Sequence, residues 1–590
     1  MATAVFDSVI PRIVPFPLPR AIRDLLSRAL GFDELARVYD ALQSAGDRPI
    51  TDRLLGVLSV RCAVSDADIE RIPRAGAAIV TANHPFGILE GAALAALLGR
   101  VRSDVRILAN GILTAIPELR DLVIPVDPMS GPQAAGGNGH GLRRALEHLG
   151  AGGMLVIFPA GEVSHFCWRE RGVSDPGWNP AVARLVNIAA RRGVRVPVLP
   201  AFVDGANGAL FQAAGMVHPR LRTALLGREL LNKRGRRVEV RIGTPVESDR
   251  LLAIPSPREQ VDYLRWRTYL LARRERFKPL TSRPLDRPDD AQREAVAGPI
   301  PPEALAREIG GLPADHLLNR SGDLEVYLAN AAAIPQTLLE LGRLREITFR
   351  AAGEGTGKRL DLDRFDEHYL HLFVWNARRQ EVVGAYRLVG TDTAGTRGLY
   401  TATLFRYRPE FLDRLGPAVE LGRSFIRAEY QKGFAPLLLL WKGIGAFLVR
   451  NPRYTVLFGP VSISNQYAAV SRELMVGFLE KYAMLRGWAG LVRGRNPFRR
   501  RLPDDGLPSA GFDVEDLSTI LGDVEQNVAG VPVLLRQYLR LGGKLLGFNV
   551  DAKFANALDG LILVDLTKTE PKLIERYLGK EYLKGQHGTH

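Results

Sequence analysis

The chain has 590 residues, 46% hydrophobic and 24% charged, which is the composition of a folded protein too long for one ordinary core. Its formal charge of +15 favours polyanionic partners: nucleic acid, anionic lipid headgroups or an acidic carrier protein. No aromatic RNP-like strand, zinc finger or basic zipper accompanies the charge, which argues against nucleic acid, and Cys62 and Cys167 form no disulfide framework, zinc pattern or redox pair, which points to a reducing cytoplasm.

At the N-terminus, Asp7, Pro11, Pro15 and Pro17 interrupt any apolar signal-peptide core. Ile22, Leu25, Leu26 and Leu30 recur at helical spacing beside Arg20, Arg23 and Arg28, so 1–50 reads as a basic amphipathic segment, suited to a membrane interface or to packing on its own domain. Strand-like runs then alternate with helical stretches in both halves, giving an α/β fold class with two domains. Residues 278–318, rich in Pro, Gly and charge, read as the linker between a domain at 51–277 and another at 319–590. The most apolar run, 437–449, falls short of the roughly 18–20 residues that span a bilayer and reads as a buried helix. Residues 398–407, GLYTATLFRY, read as a strand.

Four segments of the first half are placed at strand ends, where an open α/β sheet puts its site. They are Asn-His-Pro-Phe-Gly-Ile-Leu-Glu-Gly at 83–91, Val-Ile-Pro-Val-Asp at 123–127, Phe-Pro-Ala-Gly-Glu-Val-Ser at 158–164 and Val-Pro-Val-Leu-Pro at 196–200. Acyl transfer to an alcohol needs a base of near-neutral pKa, and the imidazole of His84 supplies one. Glu90, a turn or so later, is placed to accept the other ring N–H and stabilise the imidazolium. The 158–164 turn offers backbone N–H groups and an acid for a polar acceptor or a developing oxyanion.

In order and spacing the four segments resemble the motif blocks of the glycerol-phosphate and lysophospholipid acyltransferases. The resemblance implies that His84 is the general base and Glu90 its partner, and that Phe158, Pro159, Gly161, Glu162 and Ser164 help bind the acceptor. The His–x5–Glu spacing and Ala160 depart from that family. Both departures resemble its aminolipid-forming branch, the ornithine-lipid acyltransferases and the proteins labelled hemolysin-like.

In the second half, Arg345, Asp363, Asp366, Arg387, Glu420 and Arg423 set six charges beside apolar elements. Such charges need partners, so an ion-pair network is expected, and one that also orients an amino-acid acceptor is equally compatible. Arg345 with Phe349, Asp363 with Asp366, Arg387, and Glu420 with Arg423 resemble the ordered motifs of the autoinducer synthases and ornithine N-acyltransferases, which share a GNAT-like fold. The resemblance implies transfer of a fatty acyl chain to an amine, with Glu420 binding or deprotonating that amine. Segment 427–433 lacks the glycines of a coenzyme-A pyrophosphate loop, which favours an acyl carrier protein thioester as donor over acyl-CoA. No metal or other cofactor is expected.

Together these readings describe a bifunctional, ornithine-lipid-type acyltransferase, peripheral on the cytoplasmic face of the inner membrane. It uses amino-acid and lyso-lipid substrates, and its partners are acyl carrier protein and an anionic membrane surface. The alternative is a glycerophospholipid acyltransferase whose GNAT-like half is not catalytic.

Overall fold

Short buried runs rich in Val, Ile and Ala build the first of two large sheets in a computed structural model that describes residues 31–126, 135–168, 171–274, 293–433, 435–500, 507–509, 512–525 and 530–587. The amphipathic segment expected over 1–50 is described only from residue 31, so its basic helix lies outside the described residues, as does Asp127. The chain divides into two units, Met1–Glu275 with Asp505–Val524, and Arg276–Asp504 with Glu525–His590.

Among its described residues the first unit has nine strands: β1 Arg61–Ala63, β2 Ala78–Ala82, β3 Val105–Asn110, β4 Val123–Val126, β5 Met154–Ile157, β6 His165–Cys167, β7 Gly172–Ser174, β8 Val198–Val203 and β9 Arg237–Ile242. Seven of them form one sheet in the order β1-β9-β8-β2-β5-β3-β4, while β6 and β7 make a separate hairpin. Every pairing in the large sheet is parallel except β8 with β9. Every residue of β2 and β8 is buried, as strands covered on both faces must be. Helix Leu89–Gly99, apolar on nearly all sides, follows β2 into the core.

Helix Val514–Val524 belongs to this unit, although the sequence reading assigned all of 319–590 to the second domain. The physical reason is Asp523. Its buried carboxylate accepts hydrogen bonds from Thr244 N (2.8 Å), Thr244 Oγ1 (2.7 Å) and Arg267 (2.7 Å), answering a guanidinium inside the first unit.

The second unit contains β10 Leu317–Ser321, β11 Leu324–Asn330, β12 Leu370–Asn376, β13 Glu381–Gly390, β14 Phe405–Tyr407, β15 Ala418–Ile426, β16 Val456–Ile463, β17 Val492–Gly494, β18 Lys544–Asp551 and β19 Ala557–Asp565. Its main sheet runs β10-β11-β12-β13-β15-β16-β19-β18. All neighbours are antiparallel except β15 and β16, which pair in parallel only from Ala418↔Val456 to Glu420↔Phe458. The apolar run at 437–449 lies in helix Ala435–Arg450, whose Trp441 is fully buried against Tyr538 and Tyr577.

The expected linker is shorter than 278–318. Residues 278–292 lie outside the described residues, but helix Pro302–Gly310 packs Leu305 and Ile309 into a core with Leu341 and Leu344. Two apolar residues one helical turn apart, hidden among prolines and glycines, suffice to dock it.

Candidate functional site

The first site forms where β2 ends. Asn83 clamps that end to β8, donating Nδ2–H to Val203 O (2.9 Å) and accepting from Val203 N (2.7 Å). The chain then turns through Pro85 to Gly87, where φ is +96° and a Cβ would lie 2.7 Å from Leu226 and 2.9 Å from Val163, so glycine alone fits the turn. The turn brings Glu90 back to His84, with Oε1 2.7 Å from Nδ1. The same oxygen accepts the N–H groups of Phe86 (3.0 Å) and Gly87 (2.7 Å), which fixes the carboxylate before the imidazole meets it.

With Nδ1 committed to Glu90, Nε2 is the nitrogen left for chemistry. The ring is stacked on Phe158, centroids 4.6 Å apart, with its side chain 18% exposed. Burial pushes the His84 pKa down, but the charge and hydrogen bond of Glu90, with Asp175 behind, carry it above its usual value. Glu90, wholly buried, is conversely held below the carboxylate range by His84 and the backbone donors against the upward push of burial.

Asp175, not singled out from the sequence, is the second brace. Its Oδ1 accepts from His84 N (3.1 Å) and Ser164 Oγ (2.5 Å), and its Oδ2 from Trp178 Nε1 (2.8 Å). Ser164 is therefore a buried positioning residue, not the acceptor contact expected of it; its own N–H also donates to His84 O (2.8 Å). Of the other expected binding residues, Phe158 faces the imidazole, Pro159 is buried, and Gly161 and Glu162 are exposed. Gly161 N–H is spent on Phe158 O (3.1 Å), and Glu162 pairs with Arg222 (2.6 Å). The fourth segment departs from its expected strand-end place, because Val198, Leu199 and Pro200 lie within β8.

In the second unit the expected charges come together. Arg345 binds Asp366 (2.7 Å), and Arg387 binds Asp363 through both terminal nitrogens (2.7 and 3.0 Å) and reaches Asp366 (3.1 Å). Arg423, at φ +49°, binds Asp361 (3.1 Å) and donates to Tyr400 Oη (3.2 Å). His371 completes the group. Burial and Arg345 push its pKa down to about 4, so the neutral ring accepts from Arg345 (3.4 Å) and donates Nε2–H to Asp366 O (2.9 Å). Arg345, Arg387 and Asp366 are deeply buried and paired with one another, so these side chains form an ion-paired floor and not a set of open substrate contacts. Phe349 stands nearby, edge-on to Phe554 at 5.2 Å.

Glu420 requires a correction. It is 1% exposed and its oxygens are already occupied, by Tyr369 Oη (2.6 Å), Tyr400 N (3.0 Å) and Thr401 Oγ1 (2.5 Å). A carboxylate so engaged has no face left to take an amine's proton. It instead shapes the chain: by capturing backbone N–H groups it coils Tyr400–Thr403 into a 3₁₀ turn, where the sequence reads as a strand until Phe405.

Residues 48–275 match the family described as Acyltransferase, and 344–442 the family described as Acetyltransferase (GNAT) domain. The glycine N(alpha)-acyltransferase of Bacteroides thetaiotaomicron is 32% identical over 46% of this chain and 86% of its own length. The chain belongs to the N(alpha)-acyltransferase family. Another member of similar sequence, the L-ornithine N(alpha)-acyltransferase of Rhodobacter capsulatus, is 27% identical over 43% of this chain and 94% of its own. The solved 1-acyl-sn-glycerophosphate (LPA) acyltransferase of Thermotoga maritima covers 47% of this chain and 96% of itself at 20% identity, with a TM-score of 0.25. This N(alpha)-acyltransferase family member is thus an enzyme with two fused acyltransferase domains, and His84 lies in the one that the GNAT match does not include.

Proposed function

We propose that the second unit joins a fatty acyl group to the α-amine of an amino acid, and that the first unit then esterifies a hydroxyl of the resulting lyso-lipid. The observation that carries the second step is the His84–Glu90 pair at 2.7 Å. His84 Nε2 takes the hydroxyl proton as that oxygen attacks the thioester carbonyl, Glu90 stabilises the imidazolium, and the proton passes to the departing thiolate. Support for the amide step comes from the glycine and ornithine relatives. The donor is an acyl carrier protein thioester, a reading supported by the positive charge of the chain and its lack of a glycine-rich pyrophosphate loop. Tethering keeps the amphiphilic intermediate at high effective concentration near the second site.

The enzyme works peripherally at an anionic membrane, on the cytoplasmic face. No helix among the described residues is long and apolar enough to cross a bilayer. The reading draws support from the β6–β7 hairpin, which begins directly after Ser164, and from the helix Ala209–Val217 that contacts it. Together they expose the large apolar side chains Trp168 (78%), Leu210, Met216 and Val217 (78%), which suit insertion at a lipid interface.

The test is expression in a host that makes no acylated amino-acid lipid, with extracts read by mass spectrometry. The wild type yields mono- and diacylated amino acid, and His84→Ala accumulates the mono-acylated form. A normal diacyl level in His84→Ala overturns the assignment.

A further inference from the structure

We propose that Glu354 and Asp559 receive the ammonium group of the amine substrate beside the gap where β15 and β16 part, and that Glu354 accepts its proton. The proposal rests on the amide-forming reading of the second unit and replaces Glu420 in the role the sequence suggested.

The gap comes from the pairing. β15 has nine residues and β16 eight, yet they hold each other over only three, ending at Glu420↔Phe458. Past that point β15 carries Arg423, and β16 carries Ser462, which lies directly opposite Asp559 on β19. Cross-strand partners project to the same face of a sheet. Ser462 Oγ donates to Glu354 Oε2 at 3.0 Å, so Glu354 and Asp559 share that face.

Asp559 is the observation that points to a ligand. It is 5% exposed, and its buried Oδ2 has no hydrogen-bond partner. A buried carboxylate is normally paired or hydrogen-bonded, because leaving it bare is costly. Arg423 is the cation that faces both carboxylates, and it is already engaged by Asp361 (3.1 Å), Asp363 (3.7 Å) and Tyr400, with its guanidinium against the Phe554 ring at 5.0 Å. Around it stand six carboxylates (Glu354, Asp361, Asp363, Asp366, Asp551 and Asp559) against three guanidiniums (Arg345, Arg387 and Arg423). Six carboxylates against three guanidiniums leave the cluster short of positive charge, so Glu354 and Asp559 hold their protons more tightly than usual, and a primary ammonium from outside supplies the cation they lack.

The environment suits proton transfer. Burial lifts the Glu354 pKa to about 7, with the Ser462 hydrogen bond and Arg423 drawing it back, so the group titrates where a general base is most effective. Asp559 is pushed well above the usual range by burial, Asp551 and Glu354, against the pull of Arg423. An arriving ammonium gives one proton to Glu354 and becomes a neutral amine. Its nitrogen attacks the thioester carbonyl, so a C–N bond forms and the C–S bond breaks. The second N–H proton passes to the departing thiolate, and the proton on Glu354 returns to water. Ammonium and thioester thus give amide, thiol and one released proton.

The experiment uses the full-length chain and the variants Glu354→Gln and Asp559→Asn. N-acylation is measured with glycine and L-ornithine varied against saturating long-chain acyl thioester, and O-acylation of a supplied mono-acylated amino acid is the control for folding. We expect Asp559→Asn to lower kcat/KM for the amine by ~10²-fold through KM, and Glu354→Gln to lower kcat by ~10²-fold and abolish the limb near pH 7. The melting temperature of Asp559→Asn should hold or rise, since a bare buried carboxylate is removed, and L-ornithine titrated calorimetrically should bind the wild type and not Asp559→Asn. Wild-type amine kinetics and an unmoved pH profile in both variants overturn the proposal, as does a fall of several degrees in melting temperature with ornithine binding intact. A wild type that binds ornithine but acylates no amine sinks the amide reading and leaves the ammonium site standing; one that does neither sinks both.

Discussion

Replacing Glu90 by Gln removes one charge and almost nothing else. The carboxamide has the same shape, and the N–H groups of Phe86 and Gly87 hold its oxygen where Oε1 now lies, so the His84 tautomer is kept. The amide nitrogen falls at Oε2, a buried atom with no hydrogen-bond partner, which costs about 1–3 kcal/mol of stability. What is lost is the attraction between carboxylate and imidazolium. At 2.7 Å and an effective dielectric constant of 20, this is at most about 6 kcal/mol. The hydrogen bond that remains returns part of it, so kcat for O-acylation should fall by roughly 10²–10⁴-fold, at 1.36 kcal/mol per factor of ten. The pH profile carries the sign. In the wild type the neutral base is lost below a His84 pKa raised by Glu90, whereas in Glu90→Gln burial dominates and the acidic limb moves to lower pH. Esterification of a mono-acylated amino acid, followed across pH, is the assay. A variant with the wild-type rate and an unmoved limb would refute the pairing as the source of catalysis.

Asp175→Asn faces its amide nitrogen toward either Trp178 or Ser164, both of which now donate to it. The cost should be about 1–3 kcal/mol in thermal unfolding, with kcat for ester formation reduced and KM little changed. Arg387→Leu takes the bidentate partner from Asp363 and leaves Asp366 to Arg345 alone; calorimetry should show the second unit destabilised by about 3–5 kcal/mol, while ester formation by the first unit persists. An unchanged melting profile in Arg387→Leu would mean that the network contributes nothing to the fold.

His84 and Glu90 were legible because their pairing is local: five residues and one glycine turn close it, and both lie beside a strand whose apolar run announces itself. The charges of the second half were legible as a group in need of partners, but not their roles. The sequence leaves Arg345, Arg387 and Arg423 able to hold substrate, whereas their guanidiniums are taken by Asp366, Asp363 and Asp361. Ser164 fits an acceptor-binding turn by sequence and braces Asp175 instead. Glu354 and Asp559 carry no local signature, because they stand more than 200 residues apart in the chain and are brought together only through the pairing of β16 with β19.

By itself the sequence determined the α/β character of both halves, the two acyltransferase motifs in their order, and the pairing of His84 with Glu90, since each depends on periodicity or on neighbours within a turn. Only the tertiary structure decided that Glu420 is enclosed, that helix Val514–Val524 belongs with the first unit, and which carboxylates remain without a partner. Whether a buried charge is satisfied depends on distant segments arriving at the same place, and spacing along the chain does not encode that.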